Sequence, residues 1–262
     1  MSLARALLLN VLLYVSLIWH LLWAIPTLVL PRRFVMAYIR GWGHYYIWLC
    51  RVVGGIKLEV RNRERIPKGP LLIAAKHQSI WETFALLSLL DDPCFILKRE
   101  LVWIPLFGWY ALKSRMLPVN RKGGGSVMTQ LNAKAREEVR RDAGRQILFF
   151  PEGTRRPAGA PAAYRHGVSH IYESLGVTCV PIALNAGLYW PRRSLMLNKG
   201  TVLVEVLEPI PAGLSRDEFF PLMQERIETA SNRLLEEGIA ELGPQSRAAI
   251  AARKAATMGP RG

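Results

Sequence analysis

Two short stretches hold the side chains best suited to move a proton and to grip an anion. The first is His77-Gln78-Ser79-Ile80-Trp81-Glu82. A neutral imidazole takes up a proton near pH 7, and a carboxylate on its other ring nitrogen fixes the tautomer and steadies the cation that forms. His77 is thus a candidate general base and Glu82 its orienting carboxylate. The same letters carry a structural alternative. Ser79-x-x-Glu82 ahead of an apolar run is a capping box, in which Glu82 bonds the Ser79 backbone and His77 is a plain loop residue.

The second stretch is Phe150-Pro151-Glu152-Gly153-Thr154-Arg155. Proline ends a strand ladder and glycine permits a tight turn. Arg155 is therefore presented near a strand end, with a planar fork of donors that matches a phosphate. Its alternative is a surface arginine paired with Glu152, a weak interaction.

These residues need strands to fix them and loops to leave them reachable. The apolar run at 71–75 reads as a buried strand leading into His77, and the run at 146–150 as another leading into Pro151. Further strands are expected at 57–61, 94–97, 115–119, 177–184 and 201–207. Helices are expected at 83–90, at 126–143 with Ser126 as cap, at 167–175 closed by Gly176, and at 219–237 ending at Gly238. Gly123-Gly124-Gly125 reads as a flexible turn. The alternation argues an α/β domain in which helices cover a sheet. With parallel strands, His77 and Arg155 stand at one edge of it, where such folds gather their sites.

The N-terminus has another texture. Residues 6–30 carry no formal charge, and as one helix would measure about 38 Å, more than the ~30 Å of a bilayer core. A cleaved signal is a poor fit, because the apolar region is too long and no small-x-small site precedes Pro31. A second apolar and aromatic segment, 34–53, is interrupted by Arg40, Gly41, Gly43 and His44. Its Trp42, Tyr45, Tyr46 and Trp48 suit the headgroup level. The pair fits a crossing, a hairpin lying in one leaflet, or the buried hairpin of a soluble core. Arg32, Arg33 and Arg40 follow the first segment and only Arg5 precedes it, which would put the main domain in the cytoplasm. The chain then divides into membrane-associating helices at 1–56, a catalytic domain at 57–238 and a basic Ala/Arg-rich tail at 239–262.

The 262 residues carry a net charge of +15, a balance suited to an anionic bilayer surface, phosphorylated substrates or a polyanion. Without zinc-finger spacing or an RNP-type aromatic motif, nucleic acid is not the expected partner. Cys50, Cys94 and Cys179 are far apart and odd in number, which points to a reducing compartment and to small buried side chains.

HQSIWET at 77–83 and FPEGTR at 150–155 resemble the paired motifs of the glycerolipid acyltransferases, specifically the bacterial 1-acylglycerol-3-phosphate acyltransferases. That family carries His-x-x-x-x-Asp and Phe-Pro-Glu-Gly-Thr-Arg in this order. Lys98-Arg99-Glu100 with Ile104-Pro105-Leu106-Phe107-Gly108 looks like its intervening block, and Val180-Pro181-Ile182-Ala183-Leu184 like the block after. The resemblance covers residues 60–210, and N-terminal apolar segments are usual in the family. This chain departs from the pattern in having Glu82 for the aspartate, which adds a methylene and changes the reach to His77. Asn120 also stands where the family often has aspartate.

The resemblance implies a mixed, mostly parallel sheet with a membrane-embedded N-terminal hairpin, at the cytoplasmic face of the inner membrane. It implies transfer of a fatty acyl group from acyl-ACP or acyl-CoA to the sn-2 hydroxyl of lysophosphatidic acid. Arg155 would hold the substrate phosphate. Lys98 is a second candidate for that role, its alternative being a solvated edge lysine. Glu152, Gly153 and Thr154 would shape the turn, unless Glu152 orients a substrate hydroxyl. No Gly-x-Ser-x-Gly elbow and no His-Glu-x-x-His pattern occur, so neither an acyl-enzyme, a metal nor a cofactor is expected. Trp103, Ile104, Leu106, Phe107, Trp109 and Tyr110 form an apolar-aromatic patch that would line an acyl channel, meet lipid or belong to ordinary core. The competing functions are an acyltransferase for another acceptor (lyso-ornithine lipid, glycerol-3-phosphate or another lysophospholipid) and a basic membrane-surface protein without catalysis.

Overall fold

The computed structural model describes residues 1–120, 124–244 and 247–248. Helix α1 (Leu3–Trp23) and helix α2 (Arg32–Leu49) form an N-terminal hairpin. Strands β1 (Ile56–Arg61) and β2 (Leu71–Ala75) follow, then helix α3 (Trp81–Leu89) and strand β3 (Pro93–Lys98). Helix α4 (Phe107–Lys113), strand β4 (Leu117–Val119), helix α5 (Gly124–Arg141) and strand β5 (Gln146–Phe149) come next. Helix α6 (Gly167–Leu175), strand β6 (Cys179–Leu184), the short helix α7 (Ala186–Tyr189), strand β7 (Gly200–Val206) and helix α8 (Arg216–Glu241) complete the domain.

The strands form one seven-stranded sheet in the order β1-β7-β6-β2-β5-β3-β4. All neighbours are parallel except β6 and β7. The expected mixed, mostly parallel α/β sheet is therefore the one observed. β2 lies at its centre, with every residue buried. Leu71, Ile73 and Ala75 enter the apolar cluster shared with α1, α2 and α3, while Leu72 and Ala74 enter the cluster shared with α5, α6 and α8. A strand covered on both faces needs an unbroken apolar run, and each large side chain buried there contributes about 1.5–3 kcal/mol.

From β2 the chain runs through α3, on one face, to β3. From β5 it runs through α6, on the other face, to β6. These connections part in opposite directions from adjacent strands, which opens a cleft at the carboxyl ends of β2 and β5.

Several boundaries differ from those read in the sequence. Residues 6–30 are not one helix: α1 stops at Trp23 and the chain turns through Ile25–Leu28, with Pro26 unable to continue the ladder. Conversely, α2 runs unbroken through Gly41 and Gly43. Gly43 lets it approach α3 closely, since a Cβ there would stand 3.0 Å from the Phe84 carbonyl oxygen. Arg115 takes a φ of 57° ahead of β4 and is not part of it. Ser126 lies within α5 rather than capping it, and Gly124 and Gly125 are helical; Gly123 is outside the described residues. α8 starts at a capping box on Ser215 and continues past Gly238, because the bare glycine face accepts Leu188, Asn185 and Tyr189. Residues 249–262 of the expected tail lie outside the described residues.

Candidate active site

His77 stands two residues beyond β2, and the loop after β5 clasps it from both sides. Its backbone N–H donates to Glu152 Oε2 at 3.0 Å, and its carbonyl accepts the Arg156 N–H at 2.8 Å. Its ring lies against Phe150, with centroids 4.0 Å apart and planes 19° apart. The two stretches singled out in the sequence therefore meet, joined by hydrogen bonds and a ring stack.

Glu82 has no exposed side-chain surface, and its Oε1 is 2.9 Å from His77 Nδ1. The same oxygen accepts the N–H groups of Gln78 and Ser79 at 2.8 Å each, and Oε2 accepts that of Ser79 at 2.9 Å. Glu82 thus bonds both the His77 ring and the Ser79 backbone, while the Ser79 hydroxyl accepts the Trp81 N–H at 3.2 Å, so the reciprocal bond of a capping box to the Glu82 N–H does not form. Glutamate's extra methylene spans from the first turn of α3 back to the loop. An ionised carboxylate only accepts, so it fixes the proton on Nδ1 and leaves Nε2 as an acceptor. His77 retains 16 % side-chain exposure.

Arg155 is half-buried in the clasping loop, and its carbonyl accepts from Arg192 at 3.1 Å. Its expected alternative, a pair with Glu152, does not form: Glu152 bonds Lys76 instead, 3.0 Å away. Gly153 closes the turn on the Phe150 carbonyl at 2.9 Å with a φ of 65°, a left-handed conformation suited to glycine. Thr154, beside it, is half-buried. Lys98 ends β3 at the same sheet edge, exposed and 3.2 Å from Glu100.

The apolar patch divides. Phe107 and Tyr110 line a cavity of about 200 Å³, with Phe84, Phe95, Leu21 and Trp42 among its other walls. Thr83, from the first turn of α3, also lines it. Leu106 packs with Ala24, Val35 and Tyr110, while Trp103, Ile104 and Trp109 are exposed. Exposed too is a stripe of α1: Leu7, Val11, Tyr14, Ile18 and Leu22.

Sequence reading passed over Lys76, Gln78, Phe150 and Glu228. Gln78 is buried and accepts the Gly187 N–H at 3.0 Å, pinning the loop to α7. A lysine inside an apolar strand end, next to a candidate base, was the available signal for Lys76. Nothing local marks Glu228, whose partners come from distant elements.

A family model described as "Acyltransferase" matches residues 57–185. A 1-acyl-sn-glycerol-3-phosphate acyltransferase of Pseudomonas aeruginosa is 38 % identical over 174 residues, 66 % of each chain. A lyso-ornithine lipid O-acyltransferase of the same organism is 30 % identical over 201 residues, covering 70 % of this chain and 76 % of the relative. The chain belongs to the acyltransferase family. These two relatives support the expected kinship with the bacterial lysolipid acyltransferases. The fold matches the crystal structure of the 1-acyl-sn-glycerophosphate acyltransferase PlsC from Thermotoga maritima, with a TM-score of 0.74 at 21 % identity, over 89 % of this acyltransferase and 99 % of that chain.

Proposed function

We propose that this acyltransferase moves a fatty acyl group from a thioester, acyl-ACP or acyl-CoA, to the sn-2 hydroxyl of 1-acyl-sn-glycerol-3-phosphate, giving phosphatidic acid. The observation that carries the reading is the His77–Glu82 pair at the cleft, held by the loop that bears Arg155. His77 Nε2 takes the hydroxyl proton as the oxygen attacks the thioester carbonyl. Glu82 stabilises the imidazolium, which returns the proton to the departing thiolate as the tetrahedral intermediate collapses. No side-chain nucleophile is needed. The buried cysteines are poor ones, since burial pushes the Cys94 thiol up to about 12 and raises Cys179 as well. Arg155 grips the acceptor's phosphate, with Lys98 as the second cation at that edge. Glu152, Gly153 and Thr154 shape the loop.

The acceptor is a lipid, and residues 1–56 bring the domain at 57–238 to it. α1 is long and apolar enough to cross a bilayer, about 32 Å for its 21 residues, and most of its surface faces away from the protein. With Trp103, Ile104 and Trp109 it would face lipid at the cytoplasmic side of the inner membrane, while the cavity by Phe107 and Tyr110 takes an acyl chain. A second acceptor class is favoured by the lyso-ornithine lipid relative. The test is a matrix of acyl-ACP and acyl-CoA against lysophosphatidic acid, lyso-ornithine lipid, glycerol-3-phosphate and other lysophospholipids, using the full chain in vesicles. Turnover with lysophosphatidic acid at least ten times that with lyso-ornithine lipid, which carries no phosphate, is expected on a loss of about 1.4 kcal/mol or more without the phosphate contact. Preference for lyso-ornithine lipid would replace the reading.

A further inference from the structure

Behind His77 lies a group of charged side chains that the proposed reaction does not use. Lys76 is 4 % exposed at its side chain, and its Nζ is 3.0 Å from Glu152 Oε1, a carboxylate with no exposed surface. The same ammonium donates to Glu228 Oε1, from α8. Glu228 Oε1 also accepts the Tyr164 hydroxyl at 2.7 Å, and the Tyr164 ring lies 5.3 Å from Lys76 Nζ. Glu152 spends its remaining oxygen on the His77 N–H at 3.0 Å. Lys76 itself is fixed by a ladder bond from its N–H to the Ile182 carbonyl at 3.0 Å. One ammonium thus joins the end of β2, the loop after β5 and α8, and the carboxylate it holds is the one that grips the backbone of the candidate base.

We propose that Lys76 and Glu228 are positioning residues for acyl transfer: by fixing Glu152 as an ionised acceptor they set where the His77 ring stands. The inference rests on the acyl-transfer reading above. A buried carboxylate keeps its charge only if a partner offsets the lost hydration. Burial raises the Glu152 carboxyl above its ordinary range, Lys76 opposes that rise, and Glu228 adds to it. Glu228 also takes the lysine's second donor and the Tyr164 hydroxyl, so the ammonium cannot swing away from Glu152. The groups around Glu152 are Lys76 just past β2, His77 from the loop that follows, Tyr164 from its own loop and Glu228 from α8.

The two substitutions that break the cluster must act with opposite sign on the acid limb of the pH–rate profile. Removing the cation, in Lys76→Met, raises the Glu152 carboxyl further and favours a protonated imidazole, so activity fails at higher pH. Removing the anion, in Glu228→Gln, does the reverse, so activity persists to lower pH. A purely structural role would move both limbs alike or neither. For Lys76→Met, kcat should fall about 10- to 100-fold with KM values within about twofold of wild type. Lys76→Arg should recover most of kcat.

Coincident limbs, limbs shifted in one direction, or a loss confined to KM would overturn the proposal. If Lys76→Met does not fold, Glu228→Gln decides alone: a limb at lower pH supports the proposal and an unmoved limb ends it. Amide hydrogen exchange across residues 76–83 supplies a readout that needs no substrate. The His77 amide should exchange faster in Lys76→Met and at the wild-type rate in Lys76→Arg. Should the wild type acylate no lysolipid while that pattern holds, the functional reading fails and the positioning of His77 stands. Unchanged exchange in folded Lys76→Met would sink the inference even in an active enzyme.

Discussion

Two buried charge clusters sit at opposite ends of the same strands. At the strand starts, Arg145 precedes β5 with no exposed side-chain surface, and bonds Asp92 at 2.8 Å and the carbonyls of Ser114 and Arg115 at 2.8 and 2.7 Å. Arg32, from α2, joins the same Asp92 and lies 3.0 Å from Asp142, which ties the N-terminal hairpin to the domain. At the strand ends, Lys76, Glu152, His77 and Glu82 are bonded just as densely, yet the His77 Nε2 has no protein partner among the described residues. The physics is the same in both: buried charges persist because they are paired and hydrogen-bonded. What separates a clasp from a site is one acceptor left open at the edge where the loops diverge.

That contrast can be broken in order of effect. His77→Ala should cut acyl transfer about 10³-fold or more, with a melting temperature within about 2 °C of wild type, as rate assays and thermal melts would record. Arg145→Met should do the opposite. It takes from Asp92 one of its two cations and from the Ser114 and Arg115 carbonyls their donor, and costs about 3–5 kcal/mol, lowering the melting temperature by roughly 10 °C while the folded enzyme keeps its kcat. A silent His77→Ala, or an Arg145→Met that loses rate without stability, would erase the distinction between the two ends.

Finer substitutions sharpen it. Glu82→Gln keeps the size of the side chain and one acceptor oxygen but removes the negative charge that would stabilise an imidazolium and sets an NH2 group against the Ser79 N–H. Single-turnover kinetics should show a loss of about 10²-fold or more at unchanged acceptor affinity. Arg155→Ala should raise KM about 10- to 100-fold for acceptors carrying a phosphate and leave a phosphate-free lysolipid unaffected. An equal loss for both acceptor types would remove the phosphate clamp from the mechanism.

Much of the site could be read from local signals. The apolar run at 71–75 reads as a buried strand, with His77 on the loop after it, and β2 is observed there. Helix 167–175 and its Gly176 stop were equally plain, the glycine adopting a φ of 61°. The failures share a cause. Gly43 and Gly238 look like helix breakers until the neighbour each admits is known. Pro26 splits the apolar segment, and the turn it makes sets Leu28 against Ala24, Val35 and Tyr110. Glu82 meets His77 Nδ1 despite its added methylene, since reach depends on the backbone path and not on side-chain length alone.

Residue types and their order determined the α/β class, the apolar N-terminus and the pair of motifs that carry a candidate base and a candidate anion-binding cation. These depend on periodicity and on chemistry that each side chain carries by itself. Tertiary structure alone decided that Glu152 belongs to Lys76 rather than Arg155, and that α8 joins the cluster behind His77 through Glu228. Those are pairings between elements far apart in the chain, and which carboxylate reaches which cation is settled only when the sheet sets its strand order.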